Sequence, residues 1–383
     1  MSPDPITGCP NSVELPCYKL RNGVKRPNSS LKDVDIGTQK EEGMQRRRIA
    51  FTLLAVGLVG VLLATLGGCS SLLSPTNSSG SFADQDQLGI LAKGFNVWHV
   101  PGDFPTIQAA IDSDAVKPGD RIMVGPGLHT GAEVDKAVEI RGTDGATINA
   151  GPAHSSGLSQ GFRLIAGSGG CTISHLTFTT DFSIMNGAAV DNVTVSQCTF
   201  VDSIQAVTNW SGSGWMISHN VITDLRTKGG GGIGIFVGDY SGGTVKDNVI
   251  SHNTIQGTLH VDSNDGGGYN GSGIVLYADF RWGRLGATGI SQNRVVNNKV
   301  SMSSDTPDIV DIIAIELTES RDIPDPYLRV IFDNSIGFND LRDTELQIVL
   351  TPDALDECND ISRNLGENRG HGLHPSVFGP GGN

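Results

Sequence analysis

Cysteine is scarce in this chain. Six occur in 383 residues, and only Cys171, Cys198 and Cys358 follow residue 70. An odd, small number excludes a disulfide-stapled secreted scaffold. Basic residues are also few, 27 Lys and Arg against 41 Asp and Glu, for a formal charge of −14. From residue 70 onward the imbalance grows to 18 basic against 35 acidic residues. Such a surface argues against nucleic acid, and against anionic membranes or polyanions unless a local basic patch or bridging cations intervene. Aromatics make up 6%, and there is no P-loop. Only one segment is membrane-like, the apolar run Ile49 to Thr65. Glycine is plentiful instead, at 51 residues, about twice the usual ~7%, as suits a backbone that turns often.

The apolar run follows Arg46, Arg47 and Arg48 and ends in Leu66-Gly67-Gly68-Cys69-Ser-Ser. A basic start, an apolar middle and small residues at the end describe a secretory signal. The run falls short of the ~20 residues a spanning helix needs. Its last four residues resemble a bacterial lipobox, which implies that residues 44–69 are a lipoprotein signal and that Cys69 is lipidated. Met44 would start an ordinary signal peptide, so residues 1–43 read as a disordered tail or a misassigned upstream start. Residues 70–94, rich in Ser, Asn, Gly and Asp, read as a flexible tether.

A motif then recurs: Val245-Lys-Asp-Asn248-Val-Ile-Ser-His-Asn253-Thr-Ile255, Ile290-Ser-Gln-Asn293-Arg-Val-Val-Asn-Asn298-Lys-Val300 and Ile331-Phe-Asp-Asn334-Ser-Ile-Gly-Phe-Asn339-Asp-Leu341. Shorter versions begin at Ile173, Val195, Ile217 and Ile361. Aligned on first residues, the intervals are 22, 22, 28, 45, 41 and 30, and the 45 and 41 are read as two coils each. Apolar and polar residues alternate with Val, Ile, Thr and Phe prominent, which predicts strands. Repeating units of this size stack, each unable to bury its apolar face alone. Asparagine tolerates the left-handed backbone of a sharp corner, and its amide bonds both backbone and the next amide. One inward ladder is therefore predicted through Asn220, Asn248, Asn293, Asn334 and Asn364, with Leu176 and Cys198 filling the slot above. This pattern resembles the right-handed parallel β-helix of the pectin-lyase-like superfold. The resemblance implies an all-β solenoid over residues 95–375, with residues 376–383 a disordered end. Cys171 and Cys198 are offset by five residues from the 22-residue repeat, about 16 Å along a strand, beyond disulfide reach, so buried thiols are predicted.

Phe104-Pro-Thr-Ile-Gln-Ala-Ala-Ile-Asp-Ser places Ile107, Ala110 and Ile111 on one helical face, a short helix capping the open end of the stack. The following order of Pro-Gly-Asp, the strand Arg121-Ile-Met-Val124, Pro-Gly and Ile140-Arg-Gly142 resembles the opening segment of pectin methylesterases. The repeat region lacks the Gln-Asp and Asp-Phe-Ile-Phe-Gly motifs that carry that family's catalytic carboxylates, so the likeness implies architecture only. Arg369-Gly-His371-Gly resembles a polygalacturonase Gly-His-Gly, without its partner motifs, and reads as a turn into a strand. His175, Gln197 and His219 align at one corner without a third strong ligand, so no metal site is assigned.

Long intervals extrude loops, where sites usually sit. Tyr277-Ala-Asp279-Phe-Arg281-Trp282-Gly-Arg284 combines aromatics expected to be exposed with guanidinium groups. Asp279, Arg281, Asp262 and Asp265 are the candidate catalytic residues, and Tyr269, Tyr277, Trp282 and Arg284 the candidate substrate contacts. Paired carboxylates serve glycoside hydrolysis, and arginine with a base serves a lyase. The carboxylates Asp305, Asp308, Asp311, Glu316, Glu319, Asp322 and Asp325 read as a solvated face, with Ca2+ the only cofactor they would take. The expectation is a lipid-anchored extracytoplasmic monomer that touches membrane only through its anchor and binds polysaccharide, cleaving it as a lyase or hydrolase. The alternative is a non-catalytic surface or adhesion scaffold.

Overall fold

The structure, a computed structural model, describes residues 95–228, 231–240, 242–261, 271–280, 289–307, 312–320, 330–351, 353–366 and 369–371. Cys69, with the proposed signal and tether, lies outside them. So do Asp262, Asp265, Tyr269, Arg281, Trp282 and Arg284.

Short strands dominate because the sequence offers three-to-eight-residue alternating runs between corner residues. They assemble into parallel sheets of ten, nine, seven and three strands among the described residues. Every neighbouring pair among the described strands is parallel, as a chain winding in one sense requires, and the result is a parallel β-helix. Successive coils place like residues in file. Ile122, Ile140, Ile173, Val195, Ile217, Ile250, Val295, Ile336 and Ile361 are consecutive partners across the ten-stranded sheet. Phe178, Phe200, Ile222, Ile255 and Val300 do the same in the seven-stranded one, with Phe178 stacked on Phe200 at 4.9 Å. These files are the core, and each side chain in them is almost wholly removed from water.

This register corrects the repeat alignment. Ile217 pairs with Ile250, and Ile250 with Val295, so Val245, Ile290 and Ile331 are not its counterparts. Those three residues lie instead in the three-stranded sheet that begins only at Thr244–Lys246. The intervals become 22, 22, 33, 45, 41 and 25, and the intervals of 45 and 41 are single coils. Strands Gly271–Ala278 and Ile312–Glu319 belong to those same coils, in the nine-stranded sheet.

The predicted asparagine ladder is two ladders. Asn220, Asn253, Asn298, Asn339 and Asn364 form one, each side-chain oxygen after the first accepting from the main-chain and side-chain N–H of the asparagine one coil earlier at 2.9–3.1 Å. Asn248, Asn293, Asn334 and Asn359 form the other in the same way. Five residues of strand, about 16 Å, separate the two columns, so one file could not hold both. The ladder residues are also not the left-handed ones. Positive φ falls on the residue before each of them but Asn359: His219, Asp247, His252, Gln292, Asn297, Asp333, Phe338 and Arg363. That residue makes the corner and lets the next side chain turn inward. His175 and Gln197 hold the same corner, and Leu176 and Cys198 fill the slot as expected, Cys198 N–H donating to Asn220 Oδ1 at 3.0 Å.

The N-terminal end is closed as predicted. Helix α1, Ile107–Asp112, buries Ile107, Ala110 and Ile111, and the hydroxyl of Thr106 caps it by accepting from Ala109 N–H. Asp120 ties down the first coil by accepting from Asn96, Trp98 and Lys117. Although burial opposes its ionisation, those donors hold its carboxyl down at about 2. Cys171, Cys198 and Cys358 are free and buried. Burial pushes the first two thiols up to about 12, so they are packing groups rather than nucleophiles.

Candidate functional site

The outer face of the nine-stranded sheet carries the candidate site. Its strands share a bend: the register skips Gly161, Ser183, Ala206, Gly234, Gly273 and Ala314, all small residues, and then Gln347. A Cβ on Gly161 would meet Ser183 O at 2.4 Å, and one on Gly234 would meet Gly273 O at 2.5 Å. At these two positions the neighbouring backbone leaves no room for a Cβ. The skip turns residues on both sides of it outward, which is why Thr208 reaches Gln205 at 2.8 Å and Ser272 reaches Glu316 at 2.7 Å.

Two kinds of surface result. In the middle coils the outward residues are apolar: Ile233, Phe236, Val275 and Tyr277 form a cluster of their own, with Trp210 packed on it. They alternate with Ile235, Val237, Ile274 and Leu276, which belong to the interior core. Tyr277 is therefore not the exposed ring expected. It is fully buried, its ring 5.9 Å from Phe236 and 6.3 Å from Trp210.

Beside it stands Glu316. Alternation between Ile315 and Leu317 places it outward, yet it is 2% exposed. Burial pushes its carboxyl up to about 7, against the Ser272 hydroxyl that donates to Oε2. A carboxyl that keeps its proton near neutrality can donate it to a leaving oxygen. Thr318, two residues on and in register with Tyr277, has a buried hydroxyl with no hydrogen-bond partner. Glu319 is buried as well. The expectation of a solvated acidic face therefore fails at Glu316 and Glu319, because the run Ile312-Ile-Ala-Ile-Glu-Leu-Thr-Glu319 is a strand buried on both sides. A carboxylate inside such a run was the available signal for this site.

Asp279 lies at the end of the neighbouring strand, buried, and accepts from Ser320 Oγ at 3.3 Å, while Ser320 Oγ accepts from Phe280 N–H at 2.7 Å. Asp239, one coil earlier, is bonded by the Ser211 hydroxyl and by the N–H groups of Gly242 and Gly243. These two aspartates hold turns where strands leave the sheet. Among the described residues no group of three or more His, Cys, Asp or Glu is placed to hold a metal ion, while Asp308, Asp311, Asp322 and Asp325 lie outside them.

With this geometry in hand, the comparisons define the class. Residues 136–312 match the family described as right handed beta helix region, and with its stacked parallel sheets the molecule is a right-handed parallel β-helix. No curated protein is significantly similar in sequence. Among solved structures, a variant catalytic domain of a GH87 α-1,3-glucanase in complex with tetrasaccharides aligns at 14% identity and a TM-score of 0.33, over 75% of this chain and 71% of that one. The A-module of a mannuronan C-5 epimerase from Azotobacter vinelandii aligns at 13% identity and a TM-score of 0.23, over 69% and 92%. A DFA-IIIase from Arthrobacter chlorophenolicus in complex with DFA-III aligns at 16% identity and a TM-score of 0.21, over 67% and 84%. At these identities the likeness is one of fold.

Proposed function

We propose that this protein binds polysaccharide along the outer face of the nine-stranded sheet and cleaves glycosidic bonds there, with Glu316 as proton donor. The observation that carries this reading is Glu316 itself, a buried carboxyl pushed up to about 7 and held by Ser272 on the outward side of the sheet, next to aromatic and hydroxyl side chains. Protonating the leaving oxygen is the step a glycoside hydrolase asks of such a group. A non-catalytic surface scaffold is the second reading. It is favoured by the burial of both Glu316 and Tyr277, which requires the face to open before a sugar could reach them.

Incubation of the chain with neutral and acidic glycans, with and without calcium, separates the two. The expected result is new reducing ends, with the rate lowered at least about 100-fold in Glu316→Gln, the range a lost general acid costs. Glycan binding with no turnover in the wild type would establish the scaffold. We further propose that acylation of Cys69 anchors the protein outside the cytoplasm. Labelled fatty acid should enter the wild type in a bacterial host and be absent from Cys69→Ala; equal labelling of both would exclude the anchor.

A further inference from the structure

A second polar site lies on the same outer face, toward the N-terminal coils. Ala153, His154, Gln160, Arg163, Met185 and Gly187 are among the residues lining a half-open cleft of about 440 Å³. This is within the roughly 300–1,000 Å³ of small-molecule sites. It is separated from Glu316 by five strand-to-strand steps of the sheet, about 24 Å at ~4.8 Å each.

One group in the cleft has no partner in the protein, and a second is only partly used. Gln160 is 2% exposed, and its Oε1 is buried with no hydrogen-bond partner. A buried acceptor left unpaired costs about 1–3 kcal/mol, and a donor arriving from outside would relieve it. Arg163 uses one nitrogen, Nη1, on Glu133 at 3.2 Å, while its other N–H groups carry no hydrogen bond to the protein. Its Nε lies close against Gly187, where an added Cβ would sit 2.8 Å away. The guanidinium is thereby laid along the cleft wall.

The remaining walls suit a ring. Met185 and Ala153 are apolar. The His154 imidazole tilts over Phe182 at 4.7 Å, and its Nδ1 meets the Ser156 hydroxyl at 2.7 Å and the Ser156 N–H at 3.3 Å. Burial and then the charge of Arg163 hold this histidine below its usual value. Asn186 is already spent on Ala188 and Trp210 and holds the floor.

An occupant must offer a hydroxyl donor to Gln160 and a flat anionic acceptor to Arg163, whose fork of N–H groups matches a carboxylate. We propose that this cleft is a subsite for one acidic sugar unit, a uronate, whose hydroxyl donates to Gln160 Oε1 and whose carboxylate receives the unpaired N–H groups of Arg163. The proposal rests on the reading that this face takes a polysaccharide, and it names the chemistry of one unit of that chain.

Titration calorimetry of the full chain with D-glucuronate, D-glucose and glucose 6-phosphate tests it. Glucuronate is expected to bind at least about 10-fold tighter than either control, Arg163→Gln to remove that preference, and Glu316→Gln to leave it unchanged. Gln160→Met supplies the readout that a structural role would not give. It should weaken glucuronate about 10-fold while leaving the thermal midpoint equal or higher, since the unpaired buried oxygen is gone. Equal affinity for glucose, tighter binding of glucose 6-phosphate, absence of binding, or a Gln160→Met protein that is less stable with unchanged affinity would each overturn the subsite. Turnover of a glycan with no monosaccharide preference would remove this inference and leave the catalytic reading standing.

Discussion

Asn298→Ala is expected to destabilise the protein by about 4 kcal/mol, whereas Asn220→Ala, in the same ladder, should cost about 2. The difference follows from what each oxygen holds. Asn298 Oδ1 accepts from both the main-chain and the side-chain N–H of Asn253, at 3.0 and 2.9 Å. Its own amide also donates to Asn339 Oδ1 and Ile250 O. Removing it strands two donors in an interior that water does not reach, and each stranded group costs about 1–3 kcal/mol. Asn220 Oδ1 accepts only the main-chain N–H of Cys198, because cysteine has no amide to offer. Urea titration of both variants, with hydrogen exchange at the Asn253 amide, checks the comparison. A solenoid opens coil by coil, so exchange at the mutated level is the sharper measure. Equal losses, or no added exchange at Asn253 in Asn298→Ala, would show that the ladder is held by packing rather than by its hydrogen bonds.

Glu316→Gln should reshape the pH dependence of stability. Burial raises the carboxyl from 4.5 to about 7 in the folded protein. Below pH 4.5 both states are protonated and the group is neutral to stability. Between 4.5 and 7 the folded state holds a proton that the unfolded state has lost, so stability declines as pH rises, and above 7 the full penalty applies. From the size of the shift that penalty is at most about 3 kcal/mol. Glutamine keeps an acceptor for Ser272 and carries no charge, so the variant should match the wild type near pH 4 and exceed it by up to that amount at pH 8. Asp120 acts in a different window: its carboxyl is held near 2, so its contribution is lost only as pH falls below about 4. Parallel curves for wild type and Glu316→Gln from pH 4 to 8 would mean that Glu316 is already ionised, and the proposed proton donor would go with it.

The same glutamine variant thus links fold and chemistry. A group that is costly to keep charged at the outward face, and gains stability when neutralised, has the signature of a site maintained for function. If Glu316→Gln abolishes turnover while raising stability, both arise from one cause, the removal of this carboxyl from water.

Much of the architecture was legible along the chain. Alternating Val, Ile and Thr between asparagines demanded strands, the recurrence demanded stacking, and Ile107, Ala110 and Ile111 demanded a helix with one buried side. Asn359, five residues before Asn364, repeats the spacing of Asn248 and Asn253 and was readable as the end of the second ladder. Which asparagine lies under which was not readable, because a five-residue offset preserves the local pattern while moving every contact to another column. Only the register settled that Ile217 rests on Ile250.

The candidate site divides in the same way. That a carboxylate sits within Ile312–Glu319 is a fact of sequence, as is the run of small residues at Gly161, Gly234 and Gly273. Their meaning depends on closure of the coil, which brings strands dozens of residues apart within ~4.8 Å and turns Gln160, Glu316 and Tyr277 to the same outward face. Local alternation determined that this protein is built of stacked strands. Burial, and with it the raised pKa of Glu316 and the unpaired oxygen of Gln160, was decided by the tertiary structure, because removal from water is a property of everything packed around a group rather than of its neighbours along the chain.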